Sequence, residues 1–231
     1  MTGPLYLSRA CLKRDPPISA LAPLLLGNTD GGEPIGLPGH HLVWSLFADG
    51  RDRRRDFLWR EMRTGVFLVL SARRPQDPHG LFDIADPKPF RPALAIGDRL
   101  SFTLRANPVV RRRDGSRRRS TKHDVVMDAL RARPPGERAS SRFDLVREKG
   151  FAWLERQAGK AGFSVRGGGV QVEGYEQQRV VRRGTAPMAF STLEFTGSLT
   201  VSDPGTFLSA VARGFGAAKA YGCGLMLIRR G

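Results

Sequence analysis

The chain has 231 residues, 40% of them hydrophobic, which is enough to bury a core and excludes wholesale disorder. Its formal net charge of +16, carried mostly by arginine, points to a polyanionic partner, with an arginine-rich genome as the bland alternative. Cys11 and Cys223 are far apart in sequence and have no CxxC context, so their spacing suggests no zinc site and implies no disulfide framework. No stretch reaches the length of a membrane span and Met1–Ala10 lacks a secretion signal, so a soluble, cytoplasmic protein is expected.

Residues 4–12 read as a short strand. Pro16 and Pro17 follow, and then a loop over 27–39 rich in glycine and proline. His40 to Phe47 reads as a short helix burying Leu42, Val43, Trp44, Leu46 and Phe47, stopped by Asp49-Gly50. Strands are expected over 57–62 and 66–71, joined by Thr64-Gly65. A proline-punctuated stretch then ends in a last short strand over 88–92. The second half repeats the order. A strand over 100–110 alternates Leu100, Phe102 and Leu104, and a polar insertion follows it. Residues 143–161 carry helical spacing at Leu145, Phe151, Leu154 and Ala158. Strands over 163–172 and 191–201 come next. A helix over 204–213 has Asp203 as N-cap and Pro204 at its first position, and the final strand runs over 221–230. The fold class is therefore α+β, with two tandem ferredoxin-like (RRM-like) domains of β-α-β-β-α-β order at residues 1–95 and 96–231.

Charge clusters mark the candidate binding residues. Arg111, Arg112, Arg113, Arg117, Arg118 and Arg119 flank Asp114-Gly115-Ser116, with Lys122 beyond. Such a loop can grip phosphates and release counterions, where the plainer reading is a solvated loop. Arg51, Arg53, Arg54 and Arg55 alternate with Asp52 and Asp56 and read as a solvated turn. Arg179, Arg182 and Arg183 suit either a basic hairpin touching an RNA stem or an edge strand protected by charge. The segment 214–224, with Gly214, Gly216, Gly222, Gly224 and Lys219, is neither a Rossmann fingerprint nor a Walker A loop. It would let backbone approach a phosphate, or simply make a tight connection.

Four histidines occur, at His40, His41, His79 and His123, and none has metal-ligand spacing, so no metal is expected. A histidine at a helix N-terminus feels the positive end of the dipole, which favours a neutral imidazole able to accept a proton; an ordinary capping or packing role suits the same position.

The opening strand Leu5-Tyr6-Leu7-Ser8 and the segment His40-His41-Leu42-Val43-Trp44-Ser45-Leu46-Phe47 follow a known pattern. So do Arg55-Asp56-Phe57-Leu58, Leu104-Arg105-Ala106-Asn107-Pro108, Ala152-Trp153-Leu154-Glu155-Arg156 and the glycine-rich close. In these, from end to end and in order, the chain resembles the CasE-type CRISPR endoribonucleases of type I-E systems, members of the RAMP superfamily. The resemblance implies an enzyme that binds the hairpin of a CRISPR repeat and cuts at the 3′ base of the stem. It implies retention of the product crRNA among the other Cascade subunits, with no metal and no small-molecule cofactor. The family's catalytic histidine falls on His40, counting back from Trp44 and Phe47, with His41 as the alternative register. A tyrosine found in some members falls on Leu37, which cannot do acid–base work. Arg105 and Lys219 join the arginine clusters as expected RNA-binding residues, and the family's basic hairpin matches Arg179, Arg182 and Arg183 loosely. The competing readings are a non-catalytic RNA-binding RAMP subunit of an effector complex and, more remotely, a generic RNA-binding module.

Overall fold

Antiparallel pairing around two central strands organises the chain. The computed structural model describes residues 3–15, 38–47, 55–112, 121–182 and 185–230, with the backbone alone at 38, 181, 182 and 185–187. Contacts divide the chain into two units: Met1–Pro92 with Arg179–Ala189 and Lys219–Gly222, and Ala93–Gln178 with Phe190–Ala218 and Cys223–Gly231.

In the first unit, β1 (Tyr6–Leu12) is followed by α1 (Pro38–Ser45), β2 (Phe57–Arg63), β3 (Val66–Ser71), β4 (Phe82–Ile84) and β5 (Lys88–Pro89). The sheet runs β2-β3-β1-β4, and β5 also pairs with β1. Gly65, at φ +73, makes the β2–β3 turn in the left-handed region that glycine enters without steric cost. Ala10, Val43, Leu46, Phe47, Phe57, Trp59, Phe67, Val69, Leu81 and Phe82 form one buried cluster between α1 and the sheet. The apolar run at Val43, Leu46 and Phe47 thus seats α1 on the strands. The last strand, expected over 88–92, forms only at Lys88–Pro89, and a separate short strand that was not expected precedes it at Phe82–Ile84. β4 pairs Leu12 with Phe82, and β5 pairs Tyr6 with Pro89. Pro87 lies between the two strands, and proline has no N–H to give a ladder.

The second unit has β6 (Arg99–Ala106), β7 (Val109–Arg112), β8 (Thr121–Asp124), α2 (Val125–Arg131), α3 (Arg138–Ala158), β9 (Phe163–Arg182), β10 (Thr185–Val201), α4 (Pro204–Arg213) and β11 (Met226–Arg230). Its sheet order is β11-β6-β10-β9. With α3 and α4 as the two connections, this is the ferredoxin-like arrangement; the first unit keeps the same strand order but has no helix between β3 and β4. β6 buries Leu100, Phe102, Leu104 and Ala106 in strict alternation. Asp203 caps α4 as its sequence position predicts, accepting from the Thr206 N–H at 3.0 Å and hydroxyl at 2.6 Å; these bonds hold its carboxyl below the usual range.

Several boundaries differ from the sequence expectation, each for a local reason. The strand expected over 100–110 stops at Ala106. Pro108 cannot continue the ladder, and β7 pairs instead with β8. The insertion expected to be merely polar contains α2, capped by the Asp124 carboxylate on the N–H groups of Val126 and Met127. α3 begins earlier than expected because its first turn, Arg138-Ala139-Ser140-Ser141, has no apolar periodicity to announce it. Gly150 sits inside α3 where a Cβ would come within 2.5 Å of Val172 Cγ1, so the glycine admits β9 against the helix. β9 and β10 run longer than expected through polar residues. β11 starts later, because Gly222 and Gly224 adopt φ +78 and +91, outside the strand region. Among the described residues no helix is long and apolar enough to cross a membrane.

Candidate active site

His40 lies in the first turn of α1, half-buried, while His41 next to it is exposed. His40 Nδ1 is 2.8 Å from the carbonyl oxygen of Ala220, in the short 3-10 turn Lys219–Tyr221. Trp59 of β2, 3% exposed, donates its indole N–H to the same oxygen at 3.1 Å. The His40 ring is bordered by aromatic neighbours. Tyr221 lies at 5.4 Å between centroids, Trp44 at 6.1 Å and His41 at 5.3 Å. The contact with Trp44 is the one-turn spacing within α1. All of these residues belong to the first unit. Lys219, expected to bind RNA, opens the turn that carries Ala220 and is half-buried. Leu37 lies outside the described residues.

In the second unit the rest of the glycine-rich segment is stitched to the end of β6. Gly224 N–H donates to the Arg105 carbonyl at 2.7 Å, Phe215 N–H to the Gly224 carbonyl at 3.0 Å, and Ala217 N–H to the Asn107 carbonyl at 3.0 Å. Gly216 requires its lack of a side chain: a Cβ there would sit 2.7 Å from the Asn107 carbonyl oxygen, at φ +75. Gly214 ends α4 with φ +73. Asn107 itself is 4% exposed and donates from its side chain to the Ser191 carbonyl at 2.6 Å. The Ser191 hydroxyl donates to Asp124, whose other oxygen accepts from the Tyr175 hydroxyl at 3.0 Å. Burial first, and the Asp124 charge second, push the Tyr175 hydroxyl up to about 12. None of this polar cluster is visible in sequence spacing, beyond the aspartate that precedes α2.

The expected RNA-binding arginines fall into three groups. Arg111 and Lys122 are exposed on β7 and β8, and Arg179 is exposed on β9. Arg105 and Arg112 are paired: Arg105 Nε is 2.7 Å from Glu194 and its Nη2 3.9 Å from Glu176, while Arg112 makes a two-nitrogen contact with Asp128. The charge of Arg112 is thus compensated within the insertion, because α2 supplies Asp128 as its partner. Arg113, Arg117, Arg118, Arg119, Arg183 and the Arg182 side chain lie outside the described residues, as do Arg51, Arg53 and Arg54. Among the described residues no group of three His, Cys, Asp or Glu side chains could hold a metal ion.

A histidine ring anchored at a helix start, beside a glycine-rich turn on a basic chain, is an arrangement suited to proton transfer near a phosphate. The family described as "CRISPR associated protein" matches residues 5–230. The chain belongs to this family. It is 29% identical over 196 residues to the CRISPR system Cascade subunit CasE of Escherichia coli (strain K12), covering 81% of this chain and 88% of that one. It is 32% identical over 203 residues to the CRISPR-associated endoribonuclease Cse3 of Thermus thermophilus, covering 80% and 84%. A solved structure of the CRISPR endoribonuclease Cse3 bound to 19 nt RNA superposes with a TM-score of 0.65 at 26% identity, over 99% of this chain and 100% of that one. The tandem ferredoxin-like architecture is thus that of this CRISPR-associated family.

Proposed function

We propose that this chain is a metal-independent endoribonuclease that processes CRISPR precursor RNA in the cytoplasm. It binds the repeat hairpin, cuts at the 3′ base of the stem and keeps the product crRNA as a subunit of Cascade. The observation that carries the reading is His40: a ring anchored by the Ala220 carbonyl, in a chain matched by its family over residues 5–230. Relatives named as a Cascade subunit and as an endoribonuclease support it. The same reading assigns the first ferredoxin-like domain, residues 1–95, to carry the catalytic histidine, and residues 96–231 to carry the basic insertion and glycine-rich segment.

RNA supplies its own nucleophile, the 2′-OH beside the scissile phosphate. The protein's work is to align that oxygen in line with the leaving 5′-oxygen and to move one proton at a time. His40 takes the proton from the 2′-OH or gives one to the leaving oxygen. The arginine clusters and Lys219 hold phosphates and offset the charge that develops on the reacting one. The products are a 2′,3′-cyclic phosphate and a 5′-OH. Incubating the protein with its cognate repeat hairpin and identifying the ends tests the reading: a 3′-phosphate-free hydroxyl with a 5′-phosphate, or bound but uncut RNA, would sink it.

A further inference from the structure

We infer that the Ala220 carbonyl fixes the tautomer of His40, with the proton on Nδ1, and that Trp59 is the positioning residue that holds this carbonyl in place. The inference deepens the proposed function and rests on His40 being the proton-transfer group there. A carbonyl oxygen can only accept, so its 2.8 Å contact with His40 requires an N–H at Nδ1. The lone pair of the neutral ring then lies on Nε2. Nε2 is therefore the nitrogen that takes a proton from RNA, or returns one to it, while Nδ1 keeps its own throughout.

The same oxygen has a second lone pair, and the Trp59 indole N–H occupies it at 3.1 Å. That indole is itself immobilised. It is buried in the core of the first unit and meets Phe67 edge-on at 5.8 Å. Both backbones that build the site close on its ring. A Cβ at Gly39, the residue before His40, would lie 2.8 Å from it; one at Gly222, two residues after Ala220, would lie 3.1 Å from it. Gly222 also holds φ +78, which side-chain-bearing residues rarely adopt. Trp59 is thus the common surface on which the start of α1 and the glycine-rich turn are registered. Its N–H aims the carbonyl, and the carbonyl aims the imidazole. This is the support a catalytic ring needs to keep one orientation.

The test combines ¹⁵N NMR of the histidine rings with single-turnover cleavage, on the wild type and Trp59→Phe. Phenylalanine keeps an aromatic ring and removes the N–H. His40 resonances are identified by their loss in His40→Ala. In the wild type, free of RNA and at a pH where the ring is neutral, His40 is expected to show a protonated Nδ1 and an unprotonated Nε2. In Trp59→Phe the signals should shift toward a mixture of tautomers. Cleavage should slow about five- to tenfold, the size of one neutral hydrogen bond, at unchanged hairpin affinity. An Nε2–H tautomer in the wild type overturns the inference. So does a Trp59→Phe protein with unaltered tautomer, whether its rate falls or not. Because the NMR readout needs no RNA, it is independent of the catalytic assignment, which fails separately if His40→Ala still cleaves at the wild-type rate.

Discussion

Arg112 grips the Asp128 carboxylate with two guanidinium nitrogens, Nε at 3.0 Å and Nη2 at 2.5 Å. The pair raises the already high pKa of the arginine through this hydrogen bond and charge, and it lowers that of Asp128. A charge already compensated has less to offer a phosphate than its exposed neighbour Arg111. Neutralising Arg117, Arg118 and Arg119 together is expected to weaken hairpin binding and flatten its salt dependence, by roughly 0.7 to 0.9 in log–log slope per lost phosphate contact. Arg111→Ala should move the slope in the same direction, and Arg112→Ala by less. Affinities measured across a salt series decide this; equal slopes for all variants and the wild type would mean a solvated loop.

His40→Ala should stop cleavage with hairpin affinity nearly intact, and His41→Ala should be milder. Losing one positioned acid–base group typically costs about 10²- to 10⁴-fold in rate. His40 is the ring tied to the Ala220 carbonyl, whereas His41 is exposed. Single-turnover rates beside affinities for both variants make the comparison. A dead His41→Ala with an active His40→Ala would move the catalytic role one residue along the helix.

Cleavage should proceed fully in excess EDTA, and one 2′-deoxy substitution just upstream of the cut should abolish it without loss of binding. Both follow from a nucleophile supplied by the RNA and a proton moved by imidazole. Activity lost on chelation and restored by Mg²⁺ contradicts the first; normal cutting of the deoxy substrate contradicts the second.

The Tyr175 hydroxyl makes stability fall at alkaline pH. Its folded pKa is raised from the ordinary 10.0 to about 12, by burial first and by the charge of Asp124 second. A raised value means that the folded state prefers the protonated hydroxyl. The stabilisation is therefore complete below about pH 10 and disappears as pH climbs toward 12. Melting temperatures followed from pH 8 to 12 should show this loss in the wild type, and a shallower one in Tyr175→Phe. Parallel curves for the two proteins would remove the tyrosine from the alkaline transition.

What the sequence disclosed was local. Asp203 and Pro204 announce α4 because an N-cap is written within four residues of the helix it starts, and β6 is announced by its alternation. Pro108 ends one expected strand at Ala106, since pairing depends on donors that a hydrophobic pattern does not count. At the site, the expectation for His40 came from the family resemblance, counted back from Trp44 and Phe47, while spacing alone left a capping or packing role open. Its partner was not legible: a backbone carbonyl 180 residues away carries no residue-type signature. The only trace was indirect, in glycines at 39 and 222 whose missing side chains leave room for Trp59. Asp128 beneath Arg112 was hidden in the same way, by a helix too short to show periodicity.

Gly150 sets a limit for anyone seeking a hardier version of this protein. Replacing a mid-helix glycine by alanine ordinarily gains about 1 kcal/mol of helix stability and is among the first changes such an effort tries. Here the added methyl would meet Val172 Cγ1 at 2.5 Å and Leu193 Cδ1 at 3.1 Å. The local gain in α3 would be set against displacement of β9 and β10, so thermal hardening has to begin elsewhere, on exposed positions of the helix such as Ser140.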